Sequence, residues 1–419
     1  MSFDYIIPKK NKVYLCKPKY KEWLSMANKS MIDRLAWNFN VCGTEAPKFK
    51  DAVKKDILTS AYSFCREKNI KLKEKDFNSY VFTTGHQATF YHPGVWIKNF
   101  LINEYSKNDN ITGLNIWLDY EEGCQESFSV PYVKSGNLHK KNIPFNVPFC
   151  ANVSYMLAPP TGNLWECFYS QIKALLKTLP GDKPLKNFEH YRESAKYAFG
   201  VSKNLSEFIS LSRRHFEGDR NYLELPASII SGHESFLAFF LDILNKIDVF
   251  NLIYNDVLYN YREAHSIRSD ANPFPSLRLH DNLYELPFWV ILPGGQRAGL
   301  WYDKSKNSLY AKNEKILKLS RNNDSSIEIL KNSEYRIIFK AVTLMMYFRT
   351  FVSDLFLHGV GGAKYDVITD EIIQKYYKIK PPSYASATLT LYMDLPDVKY
   401  NEKERFETEK KLIQIKHNP

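Results

Sequence analysis

The chain has 419 residues, 44% hydrophobic and 15% aromatic, with 57 Lys and Arg against 46 Asp and Glu for a formal charge of +11. That supply of apolar side chains fills a large core, which excludes wholesale disorder, and the length suits two or three structural units. The lysines are scattered, with no basic stripe and no recognised base-stacking module, which argues against a nucleic-acid reader.

At the amino terminus, MSFDYIIPKKNK lacks an apolar run followed by small residues, so no secretory signal is expected and the cytoplasm is the expected location. Cys16, Cys42, Cys65, Cys124, Cys150 and Cys167 form no CxxC pair, which fits reduced thiols better than a zinc knuckle or a redox dithiol. Cys124 lies beside acidic residues, whereas a nucleophilic thiolate wants positive neighbours. Residues 1–75 read as a helical layer, with Val53, Ile57, Ala61 and Phe64 at helical spacing within Lys48 to Lys68.

Residues 76–160 read as the first half of a parallel α/β core. Tyr80 to Thr84 is β-branched and aromatic and stops at Gly85; Ile97, Phe100, Leu101 and Tyr105 then follow helical spacing, and Leu114 to Leu118 is a second strand. Strand, helix and strand within so short a span predict a βαβ unit with parallel strands. Residues 161–260 read as a helical insertion, with amphipathic patterns over Leu164 to Leu179 and Phe236 to Tyr261. The second half of the core, 261–395, is expected to hold a small β element (Tyr284 to Val290, Ala298 to Tyr302, Ser308 to Tyr310) around the turn PGGQ. A helix over Arg336 to Phe351 follows, then a Gly-rich loop, then a helix carrying Asp370 and Glu371 in its first turn. Residues 396–419 read as a charged helix or coiled-coil fragment. The two longest apolar stretches contain Asp242, Lys246 and Asp248, and Arg349 and Asp354, so neither reads as a bilayer span.

In an open parallel sheet, ligands bind at the carboxyl ends of the strands. Three polar loops are expected to meet there. The first, Thr84-Gly85-His86-Gln87 through His92-Pro93-Gly94, opens onto a helix whose free N–H groups suit a phosphate or carboxylate. In the second, Asp119-Tyr120-Glu121-Glu122, Asp119 and Glu121 are candidates to orient an amine, act as base or bind magnesium. The third, His358-Gly359-Val360-Gly361-Gly362-Ala363-Lys364-Tyr365-Asp366, presents Lys364 to neutralise a transferring phosphate. Each has a structural alternative: hydrogen-bonded histidines, a solvated acidic turn, and a glycine run that matches neither GxGxxG nor GxxxxGK[ST]. Arg268, Glu285 and Trp289, in a turn-rich stretch, are candidate pocket walls, although packing explains the aromatics equally well. Serine-hydrolase and zincin signatures are missing.

The loop TGHQATFYHPGVWIKNF resembles the TGxQ motif that opens the core of the bacillithiol synthases, the cysteine ligases of thiol biosynthesis, and NIWLDYEEGCQESFSVPYV resembles that family's tryptophan strand and acidic turn. FLHGVGGAKYD is a looser match, closer to relatives that share HGxGGAKYD. The resemblance implies a nucleotidyltransferase-like Rossmann core with helical insertions and a coiled coil used for homodimerisation. It also implies amide formation between an amino acid, cysteine in the namesake, and an amine on a small molecule. His86 and His92-Pro93-Gly94 depart from the namesake's pattern. His92-Pro93-Gly94 at a helix start is also similar to the HxGH element of nucleotidyltransferases. A carboxylate is inert to amines until activated, so ATP with magnesium is the expected energy source. The leading expectation is a ligase in which His86, Gln87 and His92 hold an anion, Asp119 and Glu121 orient an amine and Lys364 closes over the leaving group. The alternatives are a nucleotidyltransferase and a noncatalytic protein that binds nucleic acid or a partner.

Overall fold

A computed structural model describes residues 5–122, 126–145, 153–160 and 162–395, together with positions 407 and 410. Cys124, Cys150 and nearly all of the expected charged helix over 396–419 lie outside the described residues. The chain is an α/β protein with a mostly parallel six-stranded sheet, a separate antiparallel sheet and many helices.

The strands of the main sheet are β1 (Val13–Lys17), β2 (Tyr80–Gln87), β3 (Ile111–Leu118), β4 (Tyr222–Pro226), β5 (Leu355–His358) and β6 (Tyr384–Thr390), in spatial order β1-β6-β5-β2-β3-β4. All neighbours are parallel except β1, which runs antiparallel along β6. From β2 the chain moves through β3 to β4 on one side, then returns to lay β5 and β6 on the other. The direction therefore reverses between β2 and β5, the place where such sheets open a crevice.

Alternation along the strands loads both faces. Phe82, Leu355, Leu357, Ala385 and Ala387 pack with Trp23 and Ala27 of α1 (Trp23–Arg34) and Ile102 of α3 (Pro93–Tyr105). Val81, Leu114 and Phe356 turn the other way, into the core that holds Val53 and Ile57 of α2 (Ala46–Glu67) and Ile368 and Ile372 of α4 (Val360–Tyr377). Each Val, Leu, Ile or Phe side chain among them, fully buried, contributes roughly 1.5–3 kcal/mol. Asp354, just before β5, accepts from Arg34 of α1 and from the Val81 amide at 2.7 Å, fixing where β5 starts against β2.

Five differences from the sequence-based expectations stand out. The segment 1–75 is not all helix, because Val13–Lys17 forms the edge strand β1. The expected helical insertion supplies a core strand, Tyr222–Pro226, whose Glu224 makes it look polar; that carboxylate is fully buried against Arg213, 2.6 Å away. The small β element is a sheet in its own right, ordered Glu314–Lys318, Ser308–Ala311, Arg297–Asp303, Leu283–Ile291 and Arg336–Phe339. Arg336–Phe339 is therefore a strand, pairing Phe339 with Phe288, and the helix begins only at Ala341. A short apolar run such as RIIF fits either period, and sheet pairing decided it. Finally, α4 starts at Val360, so Gly361 and Gly362 lie in its first turn and Asp370 lies well inside it. Among the described residues, no helix is long and apolar enough to cross a membrane.

Candidate functional site

The three loops singled out in the sequence all leave the carboxyl edge of the main sheet. Leu357 pairs with Thr84 and Thr84 with Asn115, so the next residues along, His358, Gly85 and Ile116, form a row across β5, β2 and β3. Ser386 of β6 extends that row beyond His358. Neighbouring strands lie about 4.8 Å apart, which places His358 one strand from the Gly85-His86 corner. From this edge α3 and α4 depart on opposite faces.

At α4, a buried ionic chain reaches the edge. Asp366 Oδ2 accepts from His358 Nε2 at 2.6 Å and from Arg349 Nη1 at 2.8 Å, and Arg349 also donates to Asp370 and to the Pro382 carbonyl. Burial pushes the Asp366 carboxyl up, but the Arg349 guanidinium and His358 outweigh it and hold it at about 2. Arg349 lies 4.6 Å from the centre of the Tyr384 ring, and the Tyr384 hydroxyl donates to the Ala363 carbonyl. A carboxylate only accepts, so His358 donates from Nε2–H, and in the neutral tautomer that fits this bond Nδ1 is the nitrogen with the lone pair. Gly362 leaves room there, since a Cβ at that position would sit 3.0 Å from Nδ1. No side chain caps α4, and Gly361, Gly362 and Lys364 are exposed, so the first amides of this helix face outward together with a lysine. Ser386 Oγ and Asp366 Oδ1, both buried, have no hydrogen-bond partner in the described structure.

The start of α3 is closed. Its N-cap is His92, whose Nδ1 accepts from the Gly94 amide at 3.1 Å, while the His92 carbonyl takes the amides of Val95 and Trp96 at 3.0 Å. Pro93 has no N–H, so the donors expected to hold an anion are spent on the helix itself. Gly94 serves close packing, because a Cβ there would lie 2.8 Å from Thr388 Oγ1 on β6. Thr84 donates to the Leu357 carbonyl at 2.8 Å and ties β2 to β5. His86 packs edge-on to Tyr91, and burial, with help from Lys98, lowers its imidazole to about 4. Gln87 is exposed. Lys98, which the sequence reading passed over, is buried with Nζ 2.7 Å from the Gly85 carbonyl; burial and then Arg213 lower it to about 7.

The acidic turn is also occupied. Asp119 accepts from both the amide and the hydroxyl of Ser228, and burial raises its carboxyl to about 6 against those bonds. Glu121 pairs with Arg297 Nη1 at 3.3 Å, and Glu122 accepts from the Arg297 amide, so this turn docks the two sheets together. Neither Asp119 nor Glu121 presents an unengaged carboxylate to an amine or to magnesium. Among the described residues, no group of three His, Cys, Asp or Glu side chains is gathered as a metal site. Glu285 bonds Arg278 at 3.0 Å and Lys340 at 3.1 Å within the antiparallel sheet. Trp289 has Lys340 4.5 Å and Arg297 5.1 Å from its ring centre, while Arg268 is exposed beyond the helix Ile247–Ala264. Glu285 and Trp289 are thus engaged within the antiparallel sheet, whereas the loop that holds Arg268 is flanked by Tyr261 and Phe274, both in ring contact with Tyr365 of α4.

Beside the edge lies a cavity of about 440 Å³ between the loop at Thr89 to Tyr91, the strand Glu126–Lys134 and the helices Gly162–Leu176, Lys183–Val201 and Leu205–Phe216. Only the aromatic pair Phe90-Tyr91 within the first loop hinted at it. Arg349 had a clearer signal, a single guanidinium inside an otherwise apolar stretch. No protein-family model matches the chain, and a search among curated proteins returns no match.

Proposed function

We propose that the chain is a ligase-type enzyme that joins the carboxyl group of an amino acid to an amine of a small molecule, with the reaction centred on the start of α4. The observation that carries this reading is the chain Arg349–Asp366–His358, which delivers an oriented imidazole beside an uncapped helix start. An ammonium must lose a proton before it attacks, and His358 Nδ1 is the acceptor; Asp366 steadies the imidazolium that forms, and Arg349 keeps Asp366 ionised. The amides at Val360 to Gly362, with Lys364, favour the negative charge that develops on the acyl oxygens or on the departing group. ATP supplies the activation of the carboxylate, and this helix start, with its glycines and its lysine, has the donors to receive a phosphate.

The strand order with its reversal between β2 and β5 is Rossmann-like, and the similarity of the first two loops to the bacillithiol synthases favours amide formation, cysteine being that family's amino acid. The test is incubation of purified protein with ATP and pooled amino acids and amines, read by mass spectrometry. A condensed product that disappears in His358→Gln, with circular dichroism unchanged, is the expected result. No ATP consumption and no amide from any pairing overturns the reading.

A further inference from the structure

We propose that the cavity beside α3 is a binding site for a flat, uncharged aromatic molecule. Its volume of about 440 Å³ lies within the range of small-molecule pockets. Rings enter the lining from three elements: Tyr91 and Trp96 at the start of α3, Phe188 and Tyr191 from Lys183–Val201, and Phe216 from Leu205–Phe216. Trp96 and Tyr191 both meet Phe216, with ring centres 5.9 and 5.4 Å apart. Ring-lined walls favour a planar guest, which gains stacked and edge contacts that an aliphatic body of equal volume does not make.

Charge in the wall is already answered. Arg213 donates to Glu217 at 2.7 Å and to Glu224 at 2.6 Å, and Lys183 pairs with Asp394 at 3.2 Å. A charged guest that engages Arg213 would have to break one of its buried pairs, so this part of the wall selects against it; Lys183 and Asp394 are exposed at the rim. Two buried donors of lining residues are left over: Arg213 Nε and the Tyr91 hydroxyl have no hydrogen-bond partner, and a guest carrying a single hydroxyl or carbonyl oxygen satisfies one of them.

Calorimetric titration of the full chain with 2-naphthol, cyclohexanol and naphthalene-2-sulfonate tests this without reference to turnover, so it stands or falls separately from the ligation reading. The expected result is saturable binding of one 2-naphthol per chain at about 0.1 mM or tighter, with the other two at least about tenfold weaker. Filling the cavity with Leu176→Trp should weaken 2-naphthol by about tenfold or more. Ser129→Trp, at a more exposed wall position, gives the same readout should the first variant fail to fold. Non-saturable binding, equal affinity for cyclohexanol or for the sulfonate, or undiminished affinity in a folded filled variant overturns the proposal.

Discussion

The starts of α3 and α4 differ more than their shared position suggests. Both follow a strand at the same sheet edge, both contain glycine, and both have a histidine within two residues of the first turn. At α3 the histidine turns back and caps the helix, so its amides are satisfied internally. At α4 the histidine belongs to the strand, is held by a carboxylate eight residues into the loop and helix, and leaves the helix uncapped. One imidazole is spent on capping its helix; the other is held by Asp366, with Nδ1 beside Gly362 in the first turn of α4. A histidine beside a helix start is thus informative only once its hydrogen-bond partner is known.

The sharpest way to break this contrast is to exchange the two imidazoles for amides. His358→Gln removes the proton acceptor and should lower condensation turnover by about 10²–10⁴-fold. His92→Asn keeps an acceptor for the Gly94 amide and should leave turnover nearly unchanged. Steady-state kinetics on both variants decides it; equal losses would make α3 part of the chemistry after all.

The next effect is on the support beneath His358. Arg349→Met leaves the Asp366 carboxylate, and much of Asp370, buried without their cation. Removing one partner of such a buried set costs about 3–5 kcal/mol. Urea unfolding should show that loss, and a variant as stable as the wild type would mean that the acids are neutral or solvated in the fold.

Much of the edge was legible beforehand because it rests on local patterns. The β-branched and aromatic run Tyr80 to Thr84, the helical spacing from Ile97 to Tyr105 and the strand around Trp117 each lie within one element, and pairing them in parallel needed only the handedness of a βαβ unit. What stayed hidden depends on partners far along the chain. Glu224 disguises a buried strand because the charge that balances it, Arg213, belongs to another element. Asp119 looks like a free acid until Ser228, on a segment more than a hundred residues away, takes both of its oxygens. Arg336–Phe339 reads as helix until Leu283–Ile291 offers it a ladder. His358 and Asp366 bound the third candidate loop in the sequence, but their mutual bond is not legible there, since it requires α4 to begin at Val360 and bring position 366 back over the strand end.

Lys98 sharpens the comparison from the α3 side. Its folded pKa, about 7, lies below that of a free lysine, so between pH 7 and the unfolded value near 10.4 the unfolded chain binds the extra proton. Stability should therefore rise with pH across that window by about 1.4 kcal/mol per unit from this group alone. Lys98→Met should remove that slope and be the more stable protein at neutral pH. Denaturant melts of the two proteins at pH 7, 8 and 9 check it, and parallel curves would show that the amine keeps its proton in the fold.

The smallest effect belongs to the His92 cap itself. Loss of an N-cap acceptor costs about 1 kcal/mol, so His92→Ala should be destabilised by that amount while His92→Asn stays close to the wild type. The cap needs a neutral imidazole, because protonation places a hydrogen on the Nδ1 that accepts from Gly94. Burial and Lys98 accordingly hold the His92 pKa below the ordinary histidine value. The sign follows: the cap's contribution is complete above about pH 6.5 and declines as the pH falls towards the lowered folded value. His92→Asn should not share that decline, so the gap between the two proteins should narrow and then reverse on acidification. Melts at pH 7 and pH 5 measure it; a gap independent of pH would mean that the imidazole is not the group closing α3, and the difference between the two helix starts would lose its physical basis.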